Sequence, residues 1–123
     1  MATANPYDLL SAIFFFYPED EFENDREKIH SAFAEIRKSH FDLLRDFVFR
    51  QNLLFDRSKI LDEILAALQP EFLGKINPTL DLYKIKKSRL EMLWEMDLKS
   101  SLGDKEEEIK KISTLLHEKM VNA

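Results

Sequence analysis

The segment Leu9–Tyr17 constrains this chain most, because all of its nine positions except Ser11 carry apolar side chains. Pro18 follows directly, and the residues up to Asp25 are rich in Asp and Glu. A membrane-spanning helix needs about 20 apolar residues. A secretory signal needs basic residues ahead of its apolar part, whereas the first basic residue here is Arg26. We therefore expect a core or docking element of a cytoplasmic protein with no membrane partner.

A helix is predicted for this segment because its start carries the signals of a helix N-terminus, although a short aromatic strand is the competing interpretation. Asn5 suits the N-cap, Pro6 suits the first turn, and Asp8 is favoured near the positive end of the helix dipole. The helix should end near Tyr17, before Pro18. Its predicted apolar side covers an arc of about 200°, with Leu9, Leu10, Ile13 and Phe16 expected to be largely buried, and Phe15 falls on the opposite, polar side. The other members of that arc are Ala12, Phe14 and Tyr17.

The whole chain predicts a mainly helical domain with a small β-hairpin. It has only two glycines among 123 residues, of which 45% are hydrophobic and 33% charged, as is typical of a globular helical protein. We expect the fold class mainly α (α+β), with five to six helices and a single domain over 1–123. The predicted helices span about 6–17, 25–38, 57–69, 88–99 and 105–120, with an ambiguous one at 41–52.

Capping and turn residues refine these boundaries. Asp56 is the expected N-cap of the helix 57–69, and Ser88 with Glu91 forms a predicted capping box for the helix 88–99. A hairpin is predicted over 72–85, around the turn Asn77–Thr79. The acidic run after Pro18 is expected to be a solvated loop.

No motif of a catalytic, metal or cofactor site emerges. Without cysteine there is no thiol nucleophile and no zinc-ribbon spacing, and no Walker loop, G-x-G-x-x-G or G-x-S-x-G occurs. Glu27 and His30 have the spacing found in di-iron helical bundles, but the required second copy is missing. His117 begins a zinc-protease pattern whose second histidine is replaced by Val121. We expect no cofactor, no metal and no enzymatic activity.

Residues 57–85 resemble the end of a winged helix-turn-helix domain, in which a helix enters the DNA major groove and a hairpin forms the wing. The helix 57–69 and the hairpin 72–85 would take these parts. The net charge of −5, and a helix with as many acids as bases, disfavour nucleic acid. A DNA-binding regulator is therefore the alternative hypothesis, beside a scaffold for protein contacts. Its candidate phosphate contacts are Lys75, Lys84, Lys86, Lys87 and Arg89.

Two helices carry more apolar surface than one core needs. On the helix 88–99 the apolar side chains cover an arc of about 240°, against roughly 100° or more for a helix that rests on one core. Either both helices pack against each other and the hairpin, or they form an interface. We expect a non-catalytic protein–protein interaction or self-assembly module of a bacterial-type cytosolic protein, most simply a two-fold homodimer. Its candidate interface residues are Phe15, Met92, Trp94 and Met96.

Overall fold

The computed structural model of the chain describes residues 5–51, 55–69, 71–75 and 82–121. Within these residues, most of the chain is helical and a small antiparallel sheet accompanies the helices, so the predicted class, mainly α (α+β), is confirmed. Side chains from the helices and the sheet join one hydrophobic cluster, in which Leu9, Phe33 and Ile109 are completely buried. The predicted turn Asn77–Thr79 lies outside the described residues.

The apolar segment forms the core helix α1, Pro6–Phe16. The Asn5 side chain caps it, as predicted, by accepting a hydrogen bond from the Tyr7 amide at 2.8 Å. Three of the four predicted core residues, Leu9, Leu10 and Ile13, are fully buried. The fourth, Phe16, is partly buried against the core, and Phe14, which also lies on the predicted apolar side, is 1% exposed.

Six further helices follow α1 within the described residues. In chain order they are α2 (Arg26–Ser39), α3 (Phe41–Leu44), α4 (Lys59–Ala67), α5 (Lys87–Leu93), α6 (Lys99–Leu102) and α7 (Glu106–Val121). A π-helical stretch, Trp94–Leu98, joins α5 to α6, and a 3₁₀ turn, Gly103–Lys105, leads into α7. The helix 88–99 of the sequence prediction is therefore one longer helical run, and the ambiguous segment 41–52 is α-helical over its first four residues.

The sheet contains β1 (Glu21–Glu23), β2 (Leu73–Lys75) and β3 (Leu82–Ile85) in the order β1-β3-β2. Antiparallel pairing of β2 with β3 confirms the predicted hairpin. The loop predicted at β1 is wrong. Its single apolar residue, Phe22, stacks on Phe14 of α1 with ring centroids 5.0 Å apart, so packing and pairing create a strand that local propensity does not indicate.

Helix α4 begins two residues later than predicted. Ser58, not Asp56, is its N-cap and accepts a hydrogen bond from the Leu61 amide at 3.3 Å. Ahead of this cap, Arg50 and Arg57 exchange two backbone hydrogen bonds, with N–O distances of 2.8 and 2.9 Å. This antiparallel bridge holds the two arginine backbones side by side just before α4.

The helical run 87–102 buries one stripe and exposes the opposite one. The predicted capping box at Ser88 is wrong, because α5 starts one residue earlier, after Lys86, which makes no side-chain cap hydrogen bond. A buried side chain recurs at every fourth residue of the run, and such spacing drifts by about 40° per step in an α-helix. The wider i→i+5 turn of the π-helical stretch takes up part of this drift. The buried residues are Leu90, Trp94, Leu98 and Leu102.

Helix α1 is enclosed by the other helices. It packs against α4, α5, the π-helical stretch and α7, and α7 also packs against α2. The Ser113 hydroxyl on α7 donates a hydrogen bond to the Ile13 carbonyl of α1 at 2.7 Å. The apolar side chains of α1 are thus packed against other helices of the same chain. Any apolar surface that is left for another molecule must lie on a different element.

Candidate interaction surfaces

The exposed stripe of the helical run 87–102 contains two methionines. Met92 is 61% exposed and Met96 is 80% exposed, although both belong to a run whose opposite side is in the core. They are four residues apart and therefore neighbours on one helix surface. We call Met92 and Met96 the methionine pair. It is the part of the predicted interface that the structure leaves accessible to another molecule.

The two aromatic residues of the predicted interface have different positions. Trp94 is only 3% exposed, so it belongs to the core of the single chain and not to its surface. Its ring meets Phe16 edge-on at 5.0 Å and lies 6.1 Å from Phe15. Phe15 is partly buried in the same cluster. The wide apolar arc is therefore divided, with the tryptophan facing α1 and the methionines facing outward.

The basic residues near the hairpin do not form one accessible patch. The Lys87 amine donates hydrogen bonds to the carbonyls of Phe15, at 2.8 Å, and of Tyr17, and burial lowers its pKa. Lys84 forms an ion pair with Asp20 at 3.3 Å. Arg89 is exposed on α5, Lys86 is partly buried, and Lys75 contributes its backbone to β2 while its side chain lies outside the described atoms. Two of the four predicted cations whose side chains are described are thus engaged within the chain.

A different basic site lies where the chain enters α4. A cleft of about 730 Å³ is lined by the side chains of Arg50, Arg57 and Lys59, together with one carboxylate, Asp46, and the exposed Val48. We call it the α4 cleft. Sequence reasoning missed it, because the arginines are brought together by their backbone bridge. The only local signal is a high density of basic residues between 45 and 59, which nearby aspartates obscure.

A buried histidine holds the same junction to α2. His30 is 0% exposed, and its Nδ1 accepts a hydrogen bond from the Ser58 amide at 3.0 Å. Because Nδ1 accepts, the ring proton is on Nε2, which donates to Asp62 Oδ1 at 2.9 Å. Asp62 also receives hydrogen bonds from Arg26, at 2.6 Å, and Arg57, at 2.8 Å. This network ties the N-cap of α4 to the first turns of α2.

The network stabilises one protonation state and leaves no free catalytic nitrogen. Burial lowers the pKa of His30, although Asp62 favours the charged ring. Burial alone would raise the pKa of Asp62, but hydrogen bonds from Arg26, His30 and Arg57 hold it well below its usual range. Both ring nitrogens of His30 already have partners. His30 and Asp62 therefore act as a structural clamp between α2 and the start of α4, and neither His30 nitrogen is free to accept a proton from a bound molecule.

Comparisons with other proteins do not identify this chain, since it matches no protein-family model, no curated protein and no solved structure. Within the described ranges, no three His, Cys, Asp or Glu side chains form a group that could hold a metal ion. None of the described helices is long and apolar enough to cross a membrane. Function must therefore be argued from the methionine pair and the α4 cleft.

Proposed function

We propose that this chain is a non-catalytic protein–protein interaction module that forms a two-fold homodimer through the methionine pair. The observation that carries the proposal is the 61% and 80% exposure of Met92 and Met96 on a helix otherwise anchored in the core. Methionine is enriched at interfaces because its flexible thioether adapts to an opposing surface. Since the opposite side of the helix is packed in the core, binding would have to order only the two side chains and not the backbone.

A two-fold axis near residue 94 makes the interface self-complementary. Two copies of the helix running antiparallel would then place Met92 of each copy against Met96 of the other. The same axis sets Arg89, three residues before the pair, opposite Lys99, three residues after it. Both are exposed, and Lys99 lies 3.7 Å from Glu95 of its own chain. The proposed dimer therefore has an apolar centre and weakly repelling cationic ends.

Light scattering after size exclusion, over a range of protein and salt concentrations, tests the dimer. The mass of the natural chain should approach twice the monomer mass as concentration rises, and the Met92→Gln/Met96→Gln variant should stay monomeric. Gln matches Met in length and helix propensity, so the helix itself is preserved. Val121→Gln is the matched control, because Val121 is also exposed, at 57%, on a different helix. A constant monomer mass for the natural chain would refute the proposal.

A second candidate function, DNA binding, is favoured by the order of the elements. A winged helix-turn-helix has a helix, a short strand, further helices ending in the recognition helix, and then the wing hairpin. Here α1, β1, α2, α3, α4, β2 and β3 follow in that order, and β1 pairs beside the hairpin to give β1-β3-β2. In this interpretation α4 is the recognition helix. The exposed residues of α4 carry no net charge, which counts against strong binding. They are Lys59, Glu63, Ala66 and Ala67.

Fluorescence anisotropy with a labelled mixed-sequence DNA duplex tests this second function. Binding should be weak, and its association constant should fall as salt is raised, because phosphate contacts release counterions. Absence of binding at low salt would exclude the DNA function and leave the winged-helix-like order as an architectural feature alone.

A further inference from the structure

We infer that the α4 cleft, and not the hairpin lysines, is the surface that contacts DNA phosphates. The inference rests on the second candidate function and names the contacting residues for it. The cleft brings three positive charges together, those of Arg50, Arg57 and Lys59.

The two arginines of the cleft are directly opposite each other. Arg50 and Arg57 exchange both backbone hydrogen bonds, and residues paired in this way project their side chains to the same side of the ladder. Both side chains line the cleft. Like charges in this position are destabilising. The charge of Arg57 is neutralised by an ion pair, in which its Nε lies 2.8 Å from Asp62 Oδ2. Arg50 and Lys59 form no ion pair with any described residue. An anionic partner would relieve this repulsion.

The position of the cleft favours nucleic acid as that partner. Lys59 is the first residue of α4, and the N-terminal residues of a recognition helix are the ones that approach DNA. Arg50 and Arg57 flank this end, and Gln51 adds a polar side chain to the lining. Arginine, lysine and glutamine side chains are common donors to phosphate oxygens. An acidic protein segment is the competing occupant.

The hairpin has a larger share of engaged cations, two of the four described, whereas in the cleft only Arg57 of the three is engaged. Lys87 holds two carbonyls at the end of α1, and Lys84 holds Asp20. Each would have to leave an internal partner before it could bind phosphate. With three cations in the cleft, the logarithm of the association constant should fall against the logarithm of salt with a slope of about −2 to −3.

The experiment compares three double variants of equal charge change in the anisotropy assay. Arg50→Gln/Lys59→Gln removes two of the three cleft cations and leaves Arg57, which is paired with Asp62, in place. Lys84→Gln/Lys86→Gln alters the hairpin, and Lys105→Gln/Lys111→Gln is the control on exposed positions at and near α7. The cleft variant should weaken binding at least tenfold, with a salt slope less steep by about two. The other two variants should remain close to the natural chain.

Each alternative outcome has a distinct meaning. If the hairpin variant loses binding while the cleft variant keeps it, the cleft assignment is overturned and the DNA function stands. If the natural chain binds no duplex, both fail. If it binds poly-glutamate in preference to DNA and the cleft variant loses that binding, the cleft belongs to an acidic protein partner and the inference is overturned. Circular dichroism melting of every variant ensures that lost binding is not lost folding.

Discussion

Acidification should weaken the fold through one imidazole, that of His30. The ring is completely buried between α2 and the start of α4, and it accepts the Ser58 amide hydrogen at 3.0 Å through Nδ1. The charged groups that face it are Asp62, at 2.9 Å from Nε2, and the two arginines bound to that carboxylate, Arg26 and Arg57. A proton added to Nδ1 would point at the Ser58 amide and break the bond that holds the N-cap of α4.

The sign of the effect follows from the direction of the pKa shift. Burial lowers the pKa of His30 in the folded chain below the ordinary value of about 6.5. Between these two pKa values the unfolded chain binds more protons than the folded chain does. The stability contributed by the neutral His30 ring is therefore fully present above about pH 6.5 and is lost as the pH falls. One proton corresponds to about 1.4 kcal/mol per pH unit. The loss attributable to His30 should therefore reach at most about 1.4 kcal/mol between about pH 7.5 and about pH 5.5.

Urea denaturation across this pH range, for the natural chain and for His30→Gln, measures the effect. The free energy of unfolding should fall more steeply with acid in the natural chain than in the variant, because the variant has lost the titrating ring. His117→Gln is the control, since His117 is only partly buried. Parallel profiles for the natural chain and His30→Gln, or a natural chain that gains stability on acidification, would refute the reasoning. A nuclear magnetic resonance titration of the His30 ring gives the same answer without mutation.

Three further substitutions test the packing. Phe14→Ala should lower the free energy of unfolding by about 3–5 kcal/mol in urea denaturation, and by more than Phe16→Ala, whose ring is only partly buried; equal losses would contradict the assigned core. Lys87→Met should cost about 1–3 kcal/mol in thermal melting, because two carbonyls at the end of α1 lose their donor, and an unchanged Tm would argue against that role. Asp62→Asn should cost about 1–3 kcal/mol and accelerate hydrogen exchange at the first amides of α4, whereas unchanged exchange would mean that the clamp does not hold the helix.

Features determined by neighbouring residues were the ones that could be predicted from the sequence. Asn5 and Pro6 define the start of α1. The Asn5 side-chain oxygen accepts the amide hydrogen of Tyr7, two residues later, and the ring of Pro6 fixes φ at a helical value. The hairpin follows from turn residues between two short apolar stretches. Both signals act over a few residues, so no knowledge of the fold is needed.

Features determined by distant partners could not be predicted in the same way. The strand β1 exists because Phe22 pairs with Tyr83 and stacks on α1. The cap of α4 is Ser58, whose backbone is held by His30 of α2. Lys87 has the same charge as Lys84 and Lys86, yet among the described hairpin lysines it is the one that binds the carbonyls at the end of α1. Charge and hydrophobicity therefore indicated which side chains need an ionic or apolar partner. They did not indicate whether that partner lies within the chain or in another molecule.

The two proposed surfaces respond to ionic strength in opposite directions, and this makes them separable in one protein. Added sulfate salt screens the repulsion between Arg89 and Lys99 across the proposed two-fold axis and strengthens contact between apolar side chains, so dimerisation should tighten. The same salt replaces DNA at Arg50 and Lys59, so binding at the α4 cleft should weaken. The surfaces also occupy different elements, one on the run 87–102 and the other at the start of α4. A dimer that dissociates as salt rises would therefore contradict the methionine-centred interface even if the chain proved dimeric.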